Sequence, residues 1–127
     1  MSSERIIEHV ESPYHRGHAP HATHAHEQSN PLCGDMVRIE LVIDEAAVVR
    51  EAYFDGVGCR ISQAAASMLV EHVEGRAIDE IKRFSATDML ALFGPRLTPL
   101  RQRCCLLAWQ ALQVAIFSPI ASDTNHE

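Results

Sequence analysis

Hydrophobic and polar positions alternate over residues 37–43 (VRIELVI), with Val37, Ile39, Leu41 and Ile43 set against Arg38, Glu40 and Val42. This period of two predicts a strand with one buried face. Residues 44–47 (DEAA) predict a turn, and residues 48–55 (VVREAYFD), rich in β-branched and aromatic side chains, a second strand. Together they form an antiparallel hairpin. Gly56 and Gly58 follow, where positive φ or close backbone approach costs little, and lead directly into Cys59.

The period then changes. Over residues 61–74, Ile61, Ala65, Met68, Leu69 and Val73 recur at helical spacing, Gly75 is placed as a C-cap, and Glu71 and His72 fall off the apolar stripe. A short helix is expected over residues 78–84. Ser85 and Asp88 resemble a capping box opening another helix to Phe93, which Gly94-Pro95 ends. The last helix spans about residues 100–117, where only Gln110 and Gln113 interrupt CCLLAWQALQVAIF, so it should pack on more than one side. Strands first and helices after predict an α+β domain, with helices on one face of a small antiparallel sheet.

Residues 1–29 are poor in large apolar groups after Ile7 and carry His15, His18, His21, His24 and His26. Such a segment cannot offset its ordering entropy by burial and is expected to be a disordered tail that binds metal weakly or incidentally. The ordered domain is expected over residues 30–118, followed by a polar flexible tail over 119–127. With 127 residues, 46% of them hydrophobic, the chain has material for one core. Its net charge of −6 argues against nucleic acid as a partner. No stretch is apolar enough to span a bilayer or to form a signal-peptide core, which predicts a soluble, cytoplasmic protein. Four cysteines in that setting are expected as metal-binding or reactive thiols rather than disulfides.

Cys33 lies in a loop before the first strand, and Cys59 between the glycine turn and a helix start. A thiol at a helix N-terminus meets the positive end of the peptide dipoles, and Arg60 and Arg103 add positive charge beside Cys59 and Cys104. Three thiols and the Asp35 carboxylate, all at element ends, are compatible with tetrahedral coordination by three sulfurs and one oxygen. No C-x-x-C knuckle occurs, so zinc-finger spacing rules do not apply.

Three runs carry a family resemblance. Residues 30–35 (NPLCGD), 58–68 (GCRISQAAASM) and 101–104 (RQRC), the last followed by Leu107-Ala108-Trp109, resemble in order the signature segments of the IscU/SufU/NifU N-terminal family. The resemblance covers about residues 30–118 and implies a sheet of about three strands. It also implies that Cys33, Asp35, Cys59 and Cys104 hold a metal or a transient [2Fe–2S] cluster. Cys104 matches the thiol that accepts sulfur from a cysteine desulfurase of IscS/SufS type, and Asp35 the residue that keeps the cluster labile. Apo iron–sulfur proteins are the implied recipients. At the position before the third cysteine, where IscU proteins carry histidine, this chain has Arg103, as in SufU proteins, yet it lacks the SufU insertion between the second and third cysteines. Leu97-Thr98-Pro99-Leu100-Arg101 is a degraded form of the segment read by an Hsp70-type chaperone, and the loss of a proline and the lysine counts against that partner.

Two functions follow from the resemblance: a scaffold on which iron and sulfide are assembled and passed on, or a Zn2+-dependent sulfurtransferase relaying persulfide. A zinc-stabilised domain without sulfur chemistry is a third. Cys105, at helical spacing with Trp109, Leu112 and Ile116, is expected in the core rather than as a ligand, Trp109 is likewise expected in the core, and His72 is expected to be exposed.

Overall fold

The computed structural model describes residues 2–32 and 34–120, and the last seven residues, part of the expected C-terminal tail, lie outside the described residues. The elements run α1 (Ser2–Glu11), β1 (His24–Asn30), β2 (Asp35–Ile43), β3 (Val49–Val57), α2 (Arg60–Val73), α3 (Ile78–Arg83), α4 (Ala86–Phe93) and α5 (Pro99–Ala115). The strands form one antiparallel sheet in the order β1-β2-β3. This is the α+β arrangement the sequence predicts.

Alternation sets the faces. Val37, Ile39 and Leu41 of β2 pair with Gly56, Phe54 and Ala52 of β3, and the side chains of all but the glycine are fully buried beneath the helices. Asp35, two residues before Val37, keeps the same parity and so falls on the helix side of the sheet, 2% exposed. The β2–β3 turn is held by Asp44, whose Oδ1 accepts from Ala46 N–H at 2.9 Å and Val48 N–H at 3.0 Å. Helix α2 buries Ala64, Ala65, Met68, Leu69 and Val73 against β3 and α5. Helix α5 packs on β1, β2, α2 and α4, which accounts for its nearly continuous apolar surface. Its Gln113 is no defect in that surface, because Nε2 donates to Ile81 O at 2.9 Å and so satisfies a carbonyl of the last turn of α3. Trp109 is half-buried against the core, with Nε1 donating to Phe84 O at 2.8 Å.

Residues 1–29 are not the disordered tail that composition predicts. Helix α1 lies on α2, with Ile6 and Val10 against the core, and Ser67 Oγ both meets His9 Nδ1 at 2.6 Å and accepts from Tyr14 N–H at 2.7 Å. Residues 15–17 then pair with the outer edge of β3, Phe54 N–H donating to His15 O at 3.1 Å and Gly17 N–H to Phe54 O at 2.7 Å. His15 stacks on Tyr53 and stands 2.8 Å from Glu74 Oε2; His18 stands 2.9 Å from Glu40 Oε2. The segment next crosses to the opposite edge and becomes β1, paired with β2 from His24↔Leu41 to Asn30↔Asp35. Composition understates this order because, beyond the contacts of Ile6, Val10 and Tyr14, it comes from backbone ladders and imidazole–carboxylate pairs, neither of which needs hydrophobic side chains. At the other end, Ile120 N–H donates to Thr23 O at 2.8 Å, so residues 119–120 are tied to β1 rather than free.

His9 is 9% exposed, and burial lowers its pKa below the ordinary 6.5 although Glu71, 3.3 Å away, opposes the shift. The unfolded chain therefore takes up this proton first. Stability held by neutral His9 is complete above about pH 6.5 and is lost as pH falls below it. Urea unfolding at pH 7.5 and 5.5 should show a smaller pH-dependent loss of stability in His9→Gln than in the unsubstituted protein.

Candidate metal centre

Asp35 arrives at the site on the first residue of β2, Cys59 on the residue just before α2, and Cys104 on the second turn of α5. One Asp35 oxygen and the two sulfurs all lie within 4.8 Å of one another. Ligands about 2.3 Å from a tetrahedral zinc stand roughly 3.8 Å apart, so the group needs only a small contraction to hold one ion. The donors, two sulfurs and a carboxylate oxygen, suit zinc or iron in a sulfur-rich site. Among the described residues this is the single cluster of three or more Cys, His, Asp or Glu side chains with that spacing. Cys33 lies outside the described residues. Its flanks form a tight turn in which Gly34 N–H donates to Asn30 O at 2.9 Å, leading directly into Asp35.

Local hydrogen bonds hold the first two groups. Cys59 is the N-cap of α2, its Sγ accepting from Ser62 N–H at 3.5 Å, while buried Ser62 Oγ donates back to Cys59 O at 3.0 Å. Asp35 Oδ1 accepts from Cys59 N–H at 2.9 Å, and the Cys59 thiol lies 3.5 Å from Oδ2. The two glycines before Cys59 serve different ends. At Gly56 a Cβ would lie 2.1 Å from Met36 O on the neighbouring strand, whereas Gly58 combines φ +134° with direct approach to Asp35.

Cys59 is exposed and Cys104 buried, at 5%. Burial first, then Cys59 and Asp35 beside it, push the Cys104 thiol well above its usual range. The expectation that Arg103 and a helix N-terminus favour a Cys104 thiolate is therefore corrected for the metal-free protein. Cys104 sits beyond the first turn of α5, out of reach of the free N–H groups, and Arg103 is exposed to water. A bound cation would reverse this balance by taking the place of the proton.

An open depression of about 660 Å³ over Cys59 and Cys104 is lined by Arg60, Ile61, Leu100 and Arg101. Arg103 points elsewhere, lining a cleft with Asn30, Pro31 and Gln110. Cys105 is fully buried in the core, and burial pushes its thiol up to about 12. His72 is half-buried rather than exposed, its ring 5.0 Å from that of Phe84, at the other end of α2 from the cluster. The histidines of residues 15–26 contribute nothing to the site.

The sequence profile of the NifU-like N-terminal domain matches residues 1–122. The chain belongs to this family. Among its relatives, the iron–sulfur cluster assembly scaffold protein IscU of Thermotoga maritima is 33% identical, over 91% of this chain and 92% of that protein. The zinc-dependent sulfurtransferase SufU of Bacillus subtilis is 30% identical, over 87% and 86%. A crystal structure of a proposed scaffold protein for the SUF system from Fervidobacterium islandicum superposes with a TM-score of 0.77 at 23% identity, covering 89% of this chain and 94% of that one. At that identity the superposition bears on the fold alone.

Accessibility orders the thiols: Cys59 is exposed, Cys104 is 5% exposed and Cys105 is fully buried. Iodoacetamide at pH 8 should label Cys59 of the metal-free protein first, Cys104 later, and Cys105 only after urea unfolding, as read by peptide mass spectrometry.

Proposed function

We propose that this family member is an iron–sulfur assembly scaffold, binding iron and sulfide through Cys33, Asp35, Cys59 and Cys104 and passing the cluster to apo iron–sulfur proteins. The carrying observation is the convergence of Asp35, Cys59 and Cys104 within 4.8 Å at a water-accessible end of the domain. Thiolates bind iron firmly; a single carboxylate is the weaker partner and the bond that opens first on transfer. The cluster is cargo, so a shallow, open site suits it better than a closed one.

Sulfur reaches the site, in this reading, by exchange with a cysteine desulfurase. The Cys104 sulfur, as thiolate, attacks the outer sulfur of the donor's Cys–S–SH, the S–S bond of the donor breaks, and its cysteine leaves as thiolate. Cys104 then carries the persulfide. Because Cys104 is buried, the exchange requires the donor to enter the depression between Ile61 and Leu100.

A second reading, a zinc-dependent sulfurtransferase, draws on the 30% identity with the Bacillus subtilis protein and on Arg103, whose protonated guanidinium offers no ligand. Bound zinc would hold the thiols of Cys59 and Cys104 ionised at neutral pH. Purification under nitrogen, followed by metal and acid-labile sulfide analysis and a visible spectrum, separates the two. The scaffold reading expects iron and sulfide in equal amounts, reduced at least tenfold in Cys59→Ala and Cys104→Ala and retained in Cys105→Ala. Zinc without sulfide, accompanied by faster desulfurase turnover, would favour the second. In either case incubation with a desulfurase and cysteine should place the persulfide on Cys104, and equal labelling of Cys104→Ser would overturn that role.

A further inference from the structure

The Asp35 carboxylate is not free to choose which oxygen it presents. Oδ1 accepts from Cys59 N–H at 2.9 Å, and Oδ2 is the oxygen 3.5 Å from the Cys59 sulfur. The side chain is 2% exposed, so water cannot replace the amide. Gly58 makes the arrangement possible. A Cβ at position 58 would lie 2.1 Å from Asp35 Oδ1 and 2.7 Å from Cγ, far inside contact distance. The atoms it would meet belong to a short side chain held at its root in a strand, 2.9 Å from the same Cβ at Cα, so the carboxylate could not yield by a small rotation. The φ of +134° at Gly58 is also the conformation that turns the Cys59 N–H towards β2.

We propose that Gly58 is a positioning residue for the metal centre. With the Cys59 amide, it fixes Asp35 as a ligand through Oδ2 alone, Oδ1 being committed to the backbone. This rests on the proposed function only in taking Asp35 as a ligand. The consequence is chemical: with Oδ1 engaged by the amide, the carboxylate favours a single metal–oxygen bond over a two-oxygen chelate, which keeps that corner of the site the easiest to open. It also couples the corner to the neighbouring thiol, because the same peptide group that holds Asp35 carries Cys59.

The test is Co2+ binding to metal-free protein, followed by the sulfur-to-cobalt and ligand-field absorption, in the unsubstituted chain, Gly58→Ala, Asp35→Ala and the double variant. Loss of a group that orients a ligand typically weakens metal binding by about 10–100-fold. Gly58→Ala should fall in that range and share the altered cobalt spectrum of Asp35→Ala. The double variant should bind more weakly than Asp35→Ala only by what a displaced Cys59 adds, and so by clearly less than the product of the two single losses. Unchanged Co2+ affinity in Gly58→Ala, or losses that multiply in the double variant, would overturn the proposal. If Gly58→Ala does not fold, Asp35→Asn serves. Its one oxygen should remain on the Cys59 amide and its NH2 face the thiols, so it should keep the melting temperature and bind Co2+ as weakly as Asp35→Ala. Recovery of near-normal affinity in Asp35→Asn would show that the side chain turns freely and would equally overturn the proposal. Undiminished binding in Asp35→Ala would instead defeat the underlying assignment of Asp35 as a ligand.

Discussion

A carboxylate taken out of water must find hydrogen-bond donors or a cation, because the uncompensated transfer costs several kcal/mol. Asp35 is in that position: its place in the alternation of β2 sends it to the helix side of the sheet, at the end where the core runs out. The chain answers with the Cys59 N–H, and for that amide to arrive, β3 has to be followed by a glycine that tolerates both the backbone angle and the contact. The start of α2 is thereby fixed against the start of β2. Cys59 becomes its N-cap, and the helix leaves the sheet at the one place where its first turn adjoins α5 and Cys104.

The thiols complete a site that is organised without being satisfied. Cys104 is buried beside another thiol and a carboxylate, and burial with those neighbours disfavours its ionisation. A bound metal ion would supply the charge that the protein itself withholds, since the guanidinium groups of Arg60, Arg101 and Arg103 remain in water. Binding is then coupled to proton release. The same arrangement keeps Cys104 protonated while the site is empty, with Cys105 one residue away taken out of the chemistry altogether by the core.

Much of this was legible in the sequence for identifiable reasons. The period-two run at residues 37–43 predicts β2, whereas Asp35, expected at an element end, proves to be the first residue of the strand. Ser85 does cap α4, its Oγ accepting from Asp88 N–H at 3.1 Å, and Cys105 is in the core as its spacing with Trp109 implies. The N-terminal thirty residues were not legible. HAHEQSN has none of the β-branched or aromatic content of a strand, and forms one because β2 offers an unpaired edge. His15 and His18 read as surplus imidazoles in one dimension and are each spoken for by a glutamate more than twenty residues away. The approach of Gly58 to Asp35 likewise spans two strands and has no signature beyond a glycine before a cysteine.

The central claim is that one metal centre is held by the cysteines together with Asp35, and not by the histidines of residues 15–26. X-ray absorption of the protein loaded with one equivalent of zinc reads the donor atoms directly. The account predicts a first shell dominated by sulfur at about 2.3 Å with one oxygen at about 2.0–2.2 Å. A shell of nitrogen donors with the outer-ring scattering of imidazole, and little sulfur, would contradict it.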